Sequence, residues 1–241
     1  MRVLFSCEVP MKELLRYFSR GEWLLWGIST AAVVIAFVMF DRESWLTLAA
    51  SLVGVTSLIF AAKGHPAAQA MAIVFAVIYG LISWQFRYYG EMITYMCMSL
   101  PMAAFSLVSW LRHPSEQKNE VRVNHLKPAE YVFMSVLTLA VTVAFYFILA
   151  YFNTANLVPS TISVATSFAA VYFVFRRSPL YAAAYAANDV VLIVLWGLAS
   201  AQDIRYISVL VCFAAFLAND LYGFVNWRRM AKRQREAAHD F

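Results

Sequence analysis

Two dipeptides, Asn188-Asp189 and Asn219-Asp220, stand inside long apolar runs of a 241-residue chain that is 62% hydrophobic and only 14% charged. A charge at the centre of a bilayer costs on the order of 3 kcal/mol or more and persists only where it is paired or wet. Asn188-Asp189 falls about 12 Å along a helix from the start of one run, and Asn219-Asp220 about as far before Trp227 at the end of the next. Antiparallel neighbours would therefore bring the two pairs face to face at one depth. Tyr185, Asp189 and Trp196, at i, i+4 and i+11, share a helical face and set aromatic surfaces on either side of a carboxylate. Gly223, one turn from Asn219, leaves room for another backbone. Asn and Asp also serve as glue between membrane helices; two pairs at matched depth favour a cavity.

Weaker candidates surround this pair. Glu91 opens an apolar run, either as a helix-start acid favoured by the dipole or as a mouth residue for a cationic substrate. Gln69 lies one turn from the end of its run, where water reaches it. Tyr95 and Met98, at i and i+3, read as packing or as cavity wall. Ser160, Thr161, Ser163, Thr166 and Ser167 make one helix face polar, although hydroxyls also satisfy their own backbone.

Catalytic constellations are sparse at the same depth. His65, His113, His125 and His239 all fall between or beyond the apolar runs, so no Ser-His or Cys-His pair forms inside them. Metalloprotease and P-loop motifs are missing. Cys7, Cys97 and Cys212 have neither disulfide nor zinc spacing, and no cofactor is implied. Asp189 with Asp220 could form an aspartyl dyad or serve a proton-coupled carrier; a carrier is the preferred reading, not an enzyme.

The elements that must position these residues are eight apolar segments near 22–40, 44–62, 67–85, 91–112, 128–152, 157–175, 180–199 and 205–227. Each can cross roughly 30 Å of hydrocarbon as a helix. If all cross, 16 of the 19 Lys and Arg residues fall on one side, leaving Arg42, Arg87 and Arg205 on the other. The expectation is an all-α integral membrane protein of eight transmembrane helices, with both termini cytoplasmic in a bacterial inner membrane. The net charge of +5 then reflects basic loops and a tail facing anionic lipid, so no nucleic-acid partner is expected. Trp23, Trp26, Trp45, Trp84, Tyr88, Tyr89, Trp110 and Trp227 mark aromatic belts. The amino end has no cleavable signal pattern, and residues 9–20 read as an amphipathic helix on the inner leaflet. Pro66, Pro128, Pro159 and Pro179 sit at helix starts. Pro101 alone is mid-helix and predicts a kink facing protein or a cavity.

A weak internal repeat lays 44–112 over 157–227. Each half runs into a basic turn ending in proline, at 61–66 and 174–179, and closes on Trp followed by basic residues, at 110–112 and 227–229. The organisation expected is a cytoplasmic arm at 1–21, an extra helix at 22–40, a first three-helix repeat at 44–112 and a cytoplasmic loop at 113–127. A linker helix at 128–152, a second repeat at 157–227 and a basic tail at 228–241 complete it. One intervening crossing makes the repeats parallel copies, a transporter architecture. Parallel-repeat carriers of this size often associate through lipid-facing helices, which allows a homo-oligomer.

From about 44 to 229 the chain resembles the PnuC-type vitamin transporters. The resemblance is carried by Lys63-Gly64, Tyr79, Tyr88-Tyr89-Gly90-Glu91-Met92, Pro101, Trp110, and Gly223 with Trp227 before the basic tail. Where that family commonly shows W-x-x-W-x-x-x-[ND], this chain has Ala182, Tyr185 and Asp189, a departure that bears on substrate stacking. The resemblance implies a three-plus-one-plus-three core similar to sugar-carrying SWEET proteins. It also implies facilitated diffusion of a vitamin such as nicotinamide riboside, trapped by cytoplasmic phosphorylation. Tyr185, Asp189 and Trp196 would meet the pyridinium, Asn188 and Asn219 the sugar or amide, and Asp220 the cation or those asparagines. Thiamine, riboflavin or a deoxynucleoside is the alternative cargo, and a membrane scaffold is the alternative class.

Overall fold

The computed structural model describes residues 17–85, 89–116, 119–154 and 156–239. The expected helix at 9–20 and the assignments to Cys7, Arg87 and Tyr88 fall wholly or largely outside them. Among the described residues eight long helices account for nearly all regular structure. They are α1 (Arg20–Phe40), α2 (Trp45–Ala62), α3 (Ala67–Gln85), α4 (Tyr89–Arg112), α5 (Pro128–Tyr151), α6 (Leu157–Phe175), α7 (Tyr181–Ser200) and α8 (Ile207–His239). All eight are long and apolar enough to cross a membrane. Their outer surface agrees: α5 exposes Val132, Phe133, Val136, Leu139 and Phe147. Such a stripe would be an aggregation surface in water and is matched to hydrocarbon.

Local chemistry sets the helix ends. Ser19 and Glu22 form a reciprocal capping box on α1, the Glu22 N–H donating to Ser19 Oγ and the Ser19 N–H to Glu22 Oε2. Pro128 starts α5, where a missing N–H leaves no bond unmade. In α4 the predicted kink at Pro101 is realised as a π-helical turn over Thr94–Ser99, with the Leu100 N–H reaching Tyr95 O. The wider turn takes up the register that proline disrupts, and its i→i+5 repeat stacks Thr94 above Ser99 on one face.

The two basic turns have the same backbone geometry. Gly64 and Arg177 both adopt left-handed φ, 67° and 55°. At each turn paired N–H groups reach back into the preceding helix: Gly64 to Ala61 O and His65 to Phe60 O, then Arg177 to Val174 O and Ser178 to Phe173 O. The carbonyls at both turns also take side-chain donors crosswise. Trp110 Nε1 and Ser109 Oγ, ending α4, donate to Val174 O and Phe175 O of α6. Trp227 Nε1 and Asn226 Nδ2, on α8, donate to Ala61 O and Ala62 O of α2. The loop after α4 straddles both turns, with Val121 N–H bonded to Gly64 O and Asn124 N–H to Arg177 O.

Packing closes the bundle. The most extensive contacts are α7 on α8, α2 on α3 and α6 on α7, while α1 rests on α8 and α2. Buried Glu22 of α1 ties both halves together, accepting from Lys63 Nζ at 3.2 Å and from Tyr222 Oη of α8 at 2.7 Å. A Cβ on Gly223 would lie 3.3 Å from Tyr181 Oη and 3.6 Å from the Ala182 and Ala62 Cβ atoms, so glycine here lets α2, α7 and α8 meet.

Candidate functional site

Between α2, α3, α4, α6, α7 and α8 lies a cavity of about 140 Å³. Its floor is the pair the sequence placed face to face. Asp189 and Asp220 are each 3% exposed, and their carboxyl groups are hydrogen-bonded to each other. Among the described residues Asp189 Oδ2 is buried without a partner, and no Lys or Arg lines the cavity. A buried acceptor left open in a cavity calls for a donor or a cation.

Asn188 is held by α6: the hydroxyls of Ser163, Thr166 and Ser167 lie 3.3, 2.7 and 3.1 Å from its Oδ1. That hydroxyl stripe, readable in the sequence as a polar face, thus occupies the acceptor end of the amide, leaving donation as the role open to Asn188. Tyr185 stands one turn before Asp189 on the same wall. Across from it the π turn of α4 brings Thr94, Tyr95 and Ser99 to the cavity. Tyr95 packs against Tyr79 with ring centroids 4.4 Å apart and against Phe75 at 5.9 Å, and Phe75 meets Phe216 at 6.1 Å.

Six of the nine residues singled out from the sequence line this cavity: Glu91, Tyr95, Tyr185, Asn188, Asp189 and Asp220. Three do not. Asn219 turns away toward α1, its Nδ2 donating to Ser29 Oγ at 2.9 Å and to Ala215 O at 2.8 Å. It is adjacent in sequence to a cavity residue, and one step along a helix rotates the side chain by about 100°. Gln69, expected to be wet, is 6% exposed in the first turn of α3. Trp196 lies two turns beyond Asp189 and does not flank that carboxylate. It lines a second recess with Asp41, Asp203, Arg205 and Tyr206, its ring 5.4 Å from Tyr206.

Glu91 borders both spaces. In the recess Arg205 is neutralised by Asp203, Nη2 to Oδ2 at 2.7 Å, and Asp41 remains as a further carboxylate. Burial pushes the Asp41 carboxyl above its ordinary value, against the opposing hydrogen bond from the Ser44 backbone. At the basic end lies a plug of Trp110, Tyr181, Trp227, Val121 and Met230, all 2% exposed or less. Sequence reasoning missed Thr94 and Ser99, whose signal was the proline that forces the π turn. It also missed Phe75, Phe213 and Phe216, which no spacing rule separates from ordinary core.

Residues 44–229, which hold every cavity-lining residue, match the model of the nicotinamide mononucleotide transporter family. The chain belongs to that family. Its relatives include nicotinamide riboside transporters PnuC of Neisseria mucosa and of Haemophilus influenzae. The first is 23% identical over 216 residues, 88% of this chain and 81% of the relative; the second is 23% identical over 214 residues, 88% of this chain and 90% of the relative. A crystal structure of the vitamin B3 transporter PnuC superimposes with a TM-score of 0.78, covering 90% of this chain and 94% of that one at 20% identity. The eight-helix all-α fold is therefore that of a multi-pass membrane transporter family. Helix α1 precedes the residues matched by the family model.

Proposed function

We propose that this protein takes up nicotinamide riboside across the bacterial inner membrane by facilitated diffusion, with cytoplasmic phosphorylation of the vitamin making uptake directional. The observation that carries the reading is the Oδ2 of Asp189 beside Asp220, unpartnered among the described residues, in a cavity lined by aromatic rings and, among those residues, by no basic side chain. A pyridinium ring meets what such a wall offers: Tyr185 and Tyr95 supply ring faces, and the two carboxyl groups supply countercharge. Asn188, donating, would bind a ribose oxygen or the carboxamide oxygen. The relatives named for nicotinamide riboside transport point to the same cargo.

In this reading the basic end is cytoplasmic, following the distribution of Lys and Arg, and both termini lie there. The plug around Trp110 and Trp227 is then the closed inner gate, and Glu91 stands at the outward mouth. The units 44–112 and 157–227 act as parallel repeats, joined by α5, that exchange access by rocking against each other. Their crosswise indole caps and matching turns favour this assignment.

A second cargo is favoured by one observation. Ala182, where the family commonly has its first tryptophan, is fully buried against Gly223, so no ring can stand there without separating α7 from α8. The tryptophan pattern is altered in this way, which makes thiamine, riboflavin or a nucleoside the runner-up. Calorimetric titration of the detergent-purified protein with nicotinamide riboside, thiamine, riboflavin and thymidine separates these readings. Saturable binding of nicotinamide riboside alone is expected. Binding of a comparator instead reassigns the cargo, and binding of none overturns the transporter site.

A further inference from the structure

A third concavity, about 790 Å³, opens at the basic end of the molecule, away from the substrate cavity. It is bounded by the start of α5 (Tyr131), the Ser178–Leu180 turn, the loop at His125 and one face of α8. That face runs Phe224, Val225, Arg228, Arg229, Lys232 and Arg235, changing from apolar to basic within one turn. Its lining includes no carboxylate among the described residues. Among the described residues Arg228, Arg229 and Arg235 have no acidic partner, and Lys232 has only a solvent-exposed 3.8 Å contact with Glu236. The contrast is Arg233, one residue along, which turns to the other side of the helix and is neutralised by Glu120 at 2.7 Å. Arg228 is held in place over the Phe224 ring, 5.4 Å from its centroid.

The apolar half continues the lipid-facing surface: Leu180, Val225 and Leu221 are 38%, 45% and 54% exposed. A soluble anion would use only the cations. A molecule with a negative phosphate and hydrocarbon chains would use both halves, with the charge at the turn where α8 changes from apolar to basic; Trp110 and Trp227, expected in an aromatic belt, are instead wholly buried. We propose that this groove is a binding site for the phosphate headgroup of an anionic phospholipid, whose chains lie along Leu180, Val225 and Leu221. The site joins α5, the second basic turn and α8, so its occupant braces the loop and tail around the plug.

The test is thermal unfolding of the full-length protein in neutral detergent, titrated with phosphatidylglycerol, with phosphatidylcholine or with inorganic phosphate. Phosphatidylglycerol should raise the midpoint saturably and phosphatidylcholine should not. Arg228→Gln with Lys232→Gln should weaken the phosphatidylglycerol response by at least tenfold, on the order of fivefold per charge removed. The exposed Lys232→Gln alone, which leaves packing untouched, should weaken it about fivefold. Arg112→Gln with Arg122→Gln, exposed cations of the same end outside the groove, should leave it unchanged. Inorganic phosphate matching phosphatidylglycerol would reassign the groove to a soluble phosphate and overturn the lipid. An equal loss in the Arg112 and Arg122 variant would reduce it to general surface charge.

Discussion

The indoles of Trp110 and Trp227 lie 5.5 Å apart, both wholly buried, and each donates its N–H to the end of a helix in the opposite half of the molecule. Neither bond is local: each spans more than sixty residues of sequence. The pair therefore does two things at once, closing one end of the bundle and adding a second donor to Ala61 O and Val174 O, carbonyls that the turn N–H groups of Gly64 and Arg177 already reach.

Replacing either tryptophan by phenylalanine removes a buried cross-helix hydrogen bond and leaves the carbonyl only the turn N–H of Gly64 or Arg177. Trp227→Phe and Trp110→Phe should each lower stability by about 1 kcal/mol in detergent unfolding. The double variant should lose less than the sum, because the two rings also pack on each other. Strictly additive losses would mean that the rings act as separate caps.

At the cavity, Asp189→Asn removes the open carboxylate oxygen while preserving shape. Affinity for nicotinamide riboside in calorimetric titration should fall about tenfold or more, the worth of one charge-assisted contact. A variant that binds as tightly as the parent refutes a cation role for Asp189.

Asn219→Ala probes the neighbour that turns away. With its donors committed to Ser29 and Ala215, the variant should cost about 1 kcal/mol of stability, as should Ser29→Ala, and leave substrate affinity within twofold. A large loss of affinity without loss of stability would return Asn219 to the binding surface.

Glu22 is the hinge between α1 and both halves. Glu22→Gln leaves Lys63, 22% exposed at its side chain, without its carboxylate and should destabilise by about 3 kcal/mol. Unchanged unfolding would mean that α1 is not coupled to the transport core through this contact.

His65 gives the pH dependence. Burial against Tyr17 and Phe60 pushes its imidazole below the ordinary value of 6.5, and its Nδ1 accepts the Ala67 N–H at 3.1 Å. The unfolded chain takes up the proton first, so this contribution is present above about pH 6.5 and is lost as pH falls below it. The unfolding midpoint should drop between pH 7.5 and 5.5, and His65→Asn, which keeps an acceptor but cannot titrate, should flatten that drop.

Eight helices, their breaks and the meeting of Asp189 with Asp220 were legible in the sequence, because apolar length, proline position and depth along a helix are one-dimensional quantities. The matching basic turns were legible too, since Gly64, Pro66, Arg177 and Pro179 write their geometry locally. What only the tertiary structure decided is rotation and partnership. Asn219 and Asp220 are neighbours in the chain yet face α1 and the cavity respectively, because the third dimension of a helix is set by what packs on it. Trp196 shares a face with Asp189 but stands two turns away, in a different space. The hydroxyls holding Asn188 and the carbonyls held by Trp110 and Trp227 come from other helices, and which helix supplies them depends on the packing of the whole bundle, not on any spacing along one segment.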